Sequence, residues 1–255
     1  SSNYFAGHAL VMGLEYCGDR LTSDRFVNHK MTSRTLEETE FYVQDDWTVN
    51  NHWMFSGGVR TNFSEAFGFM YMPKIAAKYS PDDYWAIRAN YSMGYRSPSI
   101  KELFFNWDHL GMFMIKGNEF LKPEKNNYVS AGVEYSNRHF FFNSTLYGNF
   151  YRKKIEGVWR IYDMQYNFEY VNLDRQTIAG VDLLGRWTPT DWLTLNASYS
   201  YVYVSKEKGL RINTTSPHAA TAGVKYSYKN KRNYRLDAYF NAQIMGEKQY
   251  DVQDR

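Results

Sequence analysis

Trp85-Ala86-Ile87-Arg88-Ala89-Asn90-Tyr91-Ser92-Met93-Gly94-Tyr95 sorts into two columns. Odd positions carry Trp85, Ile87, Ala89, Tyr91, Met93 and Tyr95, and even positions carry Ala86, Arg88, Asn90, Ser92 and Gly94. A period of two marks a β-strand, whose side chains point alternately to opposite faces. Length sharpens the reading. Strands of soluble domains average about five to six residues, whereas a tilted strand crossing a bilayer needs about 9–11. A soluble sandwich or propeller explains the alternation but not its extent. The same pattern returns in Leu193–Tyr203, with Leu193, Leu195, Ala197, Tyr199, Tyr201 and Tyr203 on one face. It returns again in Tyr234–Ile244, with Leu236, Ala238, Phe240, Ala242 and Ile244 together.

Working outward gives about eleven strands, near residues 7–17, 33–47, 52–62, 68–80, 84–96, 128–136, 139–152, 174–187, 192–205, 215–228 and 233–246. Their connections alternate in length. Short ones lie at Thr48–Asn51, Pro81–Asp83, Ser136–Arg138, Thr188–Asp191 and Lys229–Asn233. Longer ones lie at Gly18–Thr32, Thr61–Phe67, Arg96–Asn127, Lys153–Asp174 and Ser205–Thr215. An up-and-down transmembrane barrel has short turns at its inner rim and long loops outside. Trp47, Trp53, Trp85, Trp187 and Trp192 gather at the short turns, as an interfacial girdle requires. The expected fold is all-β, an antiparallel transmembrane β-barrel. Eleven strands do not close a single-chain bacterial barrel, which has an even number. The expectation is therefore that residues 1–255 form part of a larger barrel.

Composition agrees. Aromatic residues make up 18% of the 255, including 23 Tyr, which suits strands and interfaces. The mean hydropathy of −0.61 is low. It does not argue against a barrel, whose lipid-facing and lumen-facing residues average out polar. No apolar run approaches the ~18 residues of a membrane helix. Cys17 is the only cysteine, so neither an internal disulfide nor a zinc site built on cysteine spacing arises. The net charge of +3, with no basic run interleaved with aromatics, gives no sign of nucleic-acid binding. Gly-x-Ser-x-Gly, Walker A and His-Glu-x-x-His motifs are absent, and Asp108–His109 is the only acid–histidine pair in a loop. Neighbours in a strand point apart, so that pair does not make an enzyme. The polar columns, including Glu38, Glu40, Gln44, Asp46, Arg88, Asn90, Asp237 and Asn241, line a wet lumen.

One segment carries more than fold. Gly94-Tyr95-Arg96-Ser97-Pro98-Ser99-Ile100-Lys101-Glu102-Leu103 ends a strand and opens the longest loop, and Gly117-Asn118-Glu119-Phe120-Leu121-Lys122-Pro123-Glu124 closes it. In this order the boxes resemble those of the TonB-dependent outer-membrane receptors. Phe41-Tyr42-Val43-Gln44-Asp45-Asp46-Trp47, Tyr170-Val171-Asn172, Ala179-Gly180-Val181-Asp182 and Ser216-Pro217-His218 extend the likeness along the chain. The resemblance is nearest to haem and haemoglobin receptors of the HmuR type, with a loop histidine, His109, between the two boxes. Ser97 stands where that pattern has Ala, and Glu119 where it has Pro.

The resemblance implies a Gram-negative outer-membrane receptor with a plug domain and terminal strands outside this chain. It implies capture of haem or haemoglobin iron, and import driven through TonB with ExbB and ExbD. Haem is then cargo, and no intrinsic cofactor is expected. His109 is the candidate axial ligand to haem iron, since imidazole is a common one. Tyr95 is a second candidate ligand or a member of the outer aromatic girdle. Arg96 either pairs a haem propionate or holds the loop through backbone carbonyls. Phe104, Phe105, Trp107, Met112, Phe113 and Met114 offer an apolar, polarizable surface to a flat porphyrin. Cobalamin or siderophore uptake fits the same barrel without needing His109, and a passive porin fits it without a plug. The other histidines, His8, His29, His52, His139 and His218, read as structural.

Overall fold

The computed structural model describes residues 3–5, 7–26, 30–162, 164–205, 216–229 and 234–247. They form one sheet of fourteen strands, antiparallel throughout except where β8 runs parallel to β11. In chain order these are β1 (Asn3–Phe5), β2 (His8–Ser23), β3 (Thr32–Thr48), β4 (Trp53–Ser64), β5 (Gly68–Tyr79), β6 (Trp85–Arg96), β7 (Asn106–His109), β8 (Phe113–Lys116), β9 (Glu124–Ser136), β10 (Phe140–Tyr162), β11 (Gln165–Thr190), β12 (Leu193–Val204), β13 (His218–Lys229) and β14 (Arg235–Met245). Each pairs with its sequence neighbour, except that β6 pairs β9 and the β7–β8 hairpin stands off the path, joined through β8 to β11. Among the described residues no ladder joins β1 to β14.

All eleven expected strands are present, and most are longer than expected. The largest correction concerns the connection expected at Lys153–Asp174. Instead β10 and β11 run on as one ladder from Phe140↔Trp187 to Tyr162↔Gln165, so the pair stands far above its neighbours. Polar residues such as Lys153, Lys154 and Glu156 interrupt the apolar column there, yet the backbone ladder does not need that column. Lys153 has a left-handed φ of 55°, and the ladder steps from Arg152↔Arg175 to Lys154↔Leu173 across it. The expected long connection at Thr61–Phe67 shrinks to a turn between Ser64 and Gly68. The expected connections at Ser205–Thr215 and Lys229–Asn233 lie mostly outside the described residues.

The register fixes the two faces. Directly paired residues share a face. From Trp47↔Phe55 through Phe55↔Ala77, Ala77↔Ala89 and Ala89↔Ala131 one column continues unbroken into β9. It passes through Leu146, Val181 and Tyr201 to His218 and beyond. On this outward face Leu14, Phe63, Ile75, Leu146 and Phe240 are all exposed. The opposite, inward face carries Glu15, Glu40, Arg60 and Asn62, where Arg60 pairs with both carboxylates and Asn62 donates to Glu38 and Glu40. Apolar outside and charged inside is the reverse of a soluble protein and matches a barrel in lipid.

At the end with the short turns, rings stack in sequence. His8 lies on Trp47 (5.3 Å), followed by Phe55, Trp53 and Tyr79, and farther round by Trp85, Tyr135 and Phe140. The turns are built alike. Asn50 accepts from the N–H groups of His52 and Trp53, Asp82 from those of Tyr84 and Trp85, and Asn137 from those of His139 and Phe140. This is the Asx-turn, an acidic or amide side chain bonding backbone two residues on. Each turn is then tied to the next hairpin. Ser80 donates to the His52 carbonyl, Ser136 to that of Tyr84, Thr188 to that of His139 and Ser227 to that of Trp192. His52 and His139 also bond the Ser80 and Thr188 carbonyls through Nδ1, at 2.7 and 3.0 Å. His8 bonds Asp45 at 2.7 Å, and His218 bonds the Tyr199 hydroxyl at 2.8 Å. These four histidines are structural, while His29 lies outside the described residues.

Candidate functional site

The long loop between β6 and β9 folds back on itself. Ser99 caps a five-residue helix, α1 (Ile100–Phe104), and Glu102 returns the favour to the Ser99 backbone in a capping box. Arg96, at the top of β6, bonds Glu102 at 3.0 Å and Glu124 at 3.4 Å. Glu124 in turn accepts from the Ile155 N–H. The loop is thus held through two carboxylates rather than through carbonyls.

The second box acts as a clasp. Asn118 donates to the Tyr170 carbonyl at 3.1 Å. Asn172 accepts from the Lys122 N–H and donates to the Lys122 and Lys153 carbonyls, all at 2.7–2.8 Å. At Gly117 a Cβ would stand 2.8 Å from the Leu103 carbonyl, so only glycine allows the chain to pass. Beneath these bonds Leu103, Leu121 and Ile155 are buried together, with Leu36, Phe67, Phe104 and Tyr170 packed around them. Burial pushes the Tyr170 hydroxyl above its ordinary pKa, and the nearby Glu102 adds to the effect.

Above the clasp the β7–β8 hairpin leans on the raised β10–β11 pair. β8 runs parallel to β11, from Phe113↔Tyr166 to Lys116↔Glu169. Lys116 donates to the Tyr162 hydroxyl at 2.6 Å, and Tyr162 donates to Glu169. Leu110 and Gly111 turn the hairpin with φ of 55° and 73°, and Asp108 accepts from the Gly111 N–H at 2.9 Å. Asp108 is therefore a turn former, not half of an acid–base pair.

His109 sits in a run of rings. Arg25 lies 4.0 Å over Trp107, and Trp107 meets His109 edge-on at 4.9 Å. His109 meets Phe113 at 4.8 Å, Phe113 meets Trp159 at 5.1 Å, and Trp159 and Phe168 continue to Tyr170. The His109 Nδ1 is buried without a hydrogen-bond partner. Met112 is exposed, as are Leu110 and Met164 at the hairpin tips, and Met114 is half-buried. The structure thus gathers His109, Trp107, Met112, Met114 and Phe113 on one hairpin. Tyr95 and Arg96 are placed apart, at the top of β6, with no bond or ring contact to His109. The Tyr95 hydroxyl is buried and unbonded. Sequence reading missed the partners from the raised pair, Trp159 and Phe168, because that segment was read as a loop. Their aromatic character was the available signal.

A tall open sheet with an apolar outward face, a ring girdle at the short turns and a folded loop crown defines an outer-membrane β-barrel of the receptor kind. The chain belongs to the family described as TonB dependent receptor-like, beta-barrel, which matches residues 2–254. It is 23% identical over 220 residues to the iron-regulated outer membrane virulence protein of Vibrio cholerae serotype O1, covering 79% of this chain and 33% of that protein. It is 25% identical over 185 residues to the probable hemoglobin and hemoglobin-haptoglobin-binding protein 4 of Haemophilus influenzae, covering 65% and 18%. In fold it is similar to the siderophore receptor PirA of Pseudomonas aeruginosa, with a TM-score of 0.78 and 17% identity over 94% of this chain and 45% of that one. The chain therefore spans a third or less of the length of these curated relatives.

Proposed function

We propose that the receptor to which this barrel belongs captures haem, free or from haemoglobin, and takes up its iron with energy delivered through TonB and its ExbB–ExbD partners. One observation carries the haem reading: the His109 imidazole, its buried Nδ1 without a hydrogen-bond partner, lies within a row of aromatic rings on the β7–β8 hairpin. Imidazole is a common haem ligand. Trp107 and Phe113 fix the ring, and Met112 offers polarizable surface to the porphyrin, whereas Met114 pairs with Asp108 on the other face of the hairpin. Tyr95 is the second candidate ligand. The Haemophilus relative, named for haemoglobin binding, and the Vibrio relative, named for iron regulation, support an iron-bearing cargo.

Haem titration of the full-length receptor, followed by the Soret band, tests this. His109→Ala should weaken binding at least tenfold. An unchanged titration returns the cargo to the siderophore or cobalamin class, which needs no imidazole. Steady ion conductance through the intact receptor in a planar bilayer would instead favour a passive channel.

A further inference from the structure

We propose that Lys125, Arg152 and Arg175 form a seat on the outward face for the phosphates of an outer-leaflet glycolipid. The register puts the three side by side, Lys125↔Arg152 and Arg152↔Arg175, on three adjacent strands. All three are exposed. Like charges directly opposite one another in a sheet repel, so such a row calls for an anion. Among the described residues neither Lys125 nor Arg152 has a carboxylate in ion-pair contact. The Arg175 charge bears on its chain neighbour Asp174, which is hydrogen-bonded by Lys153. Beside the row lies a cleft of about 630 Å³ that adds Lys122, Lys153, Asp174, Phe67, Met70 and Pro123 to its lining, so that five cations face one carboxylate with apolar patches between them.

Height identifies the occupant. Tyr135, Phe140 and Trp187 mark the girdle level on β9, β10 and β11, and Lys125 lies ten, Arg152 and Arg175 twelve residues farther up their strands. At ~3.3 Å per residue and a tilt of ~40° that is ~25–30 Å, at or just above the top of the apolar band. Between the two levels the outward face carries Val129, Leu146, Phe150, Val181 and Leu183. The cations thus stand at the headgroups of the outer leaflet, directly above lipid-facing apolar surface. At the same height β5 shows Phe69 and β12 shows Tyr203, both exposed and uncharged. The row is confined to three strands, ~10 Å across at the usual spacing, which suits a compact phosphorylated headgroup whose acyl chains run down over Phe150 and Leu146.

This inference rests on membrane insertion and not on haem, and its test reads a different ligand. The full-length receptor, wild type and K125Q/R152Q/R175Q, is purified in mild detergent, with its heat-modifiable gel shift as the check of folding. Binding of diphosphoryl lipid A and of its dephosphorylated form is measured by native mass spectrometry. The wild type should bind the diphosphoryl form at least tenfold more tightly than the triple variant does, and should bind the dephosphorylated form no better than that variant. Arg152→Lys with Arg175→Lys should keep binding within about threefold of wild type. Equal binding by wild type and variant, or equal binding of the two lipids by wild type, overturns the seat. Displacement of the lipid by millimolar inorganic phosphate would assign the row to a soluble anion and likewise overturn it. Should the triple variant fail to fold, the comparison of the two lipids on wild type decides.

Discussion

The lower walls of β9–β11 and the crown above them are continuous in backbone and opposite in construction. Below Arg152 the strands present apolar side chains outward and polar ones inward, and few residues there are buried. Above it Leu103, Leu121, Ile155, Val158 and Leu173 are all buried. The wall depends on its hydrogen-bonded ladder and on lipid as its apolar solvent. The crown makes a small core of its own. A stretch of chain can therefore be folded by the membrane along one half of its length and by itself along the other.

That contrast can be broken from either side. Leu121→Ala should remove the centre of the crown cluster and cost about 2–5 kcal/mol locally, the range for buried leucines. Limited proteolysis should then cut between Ser97 and Pro123 while the barrel keeps its heat-modifiable gel mobility. Leu146→Arg, on the outward face at mid-height, should do the reverse, costing about 2–4 kcal/mol of barrel stability in vesicles and leaving loop proteolysis unchanged. Asn172→Ala leaves the N–H of Lys122 and the carbonyls of Lys122 and Lys153 without the amide that joins them. About 1–3 kcal/mol is expected, seen as faster amide exchange at Lys122 alone among these groups, since the carbonyls carry no exchangeable proton.

The smallest effect concerns pH. The hydrogen bond from Lys153 and that ammonium's charge, followed by Arg175, hold the Asp174 carboxyl below its ordinary range. A depressed folded pKa means the tie is in place above the ordinary carboxylate value and is lost only as pH falls through the lower one. Crown amide protection, taken relative to the intrinsic exchange rate at each pH, should therefore be flat from neutral down to about pH 5 and fall only well below it. Lys153→Met should move that fall to higher pH.

The walls were legible in the sequence and the crown only in part. Alternation at Trp85–Tyr95, Leu193–Tyr203 and Tyr234–Ile244 gave the strands and the faces correctly, because in lipid every outward residue meets the same solvent. The crown follows no such rule. Lys153, Lys154 and Glu156 look like a polar loop, yet Lys154 and Glu156 pair in the ladder, which steps across Lys153, and the side chains are used by specific partners such as Asp174. The boxes around Arg96, Asn118 and Asn172, which include Glu124 and Tyr170, were visible as motifs, but their joint use as a clasp also depends on Lys153 arriving from β10. No local pattern specifies that meeting. His109 stood out by its place between two boxes, while its neighbours Trp159 and Phe168 become neighbours only once β10 and β11 rise together.

The Asx turns have a mechanical corollary. Four inner turns are pinned to the hairpin beside them by a backbone N–H to the carbonyls of His52, Tyr84, His139 and Trp192. Sliding of one hairpin past the next is thus resisted along the inner edge. At the opposite edge β5 separates from β6 above Lys74 and Ser92, where their pairing ends. Between β5 and β6 the far edge lacks such a tie, so at those strands the inner rim is the more closely bonded of the two.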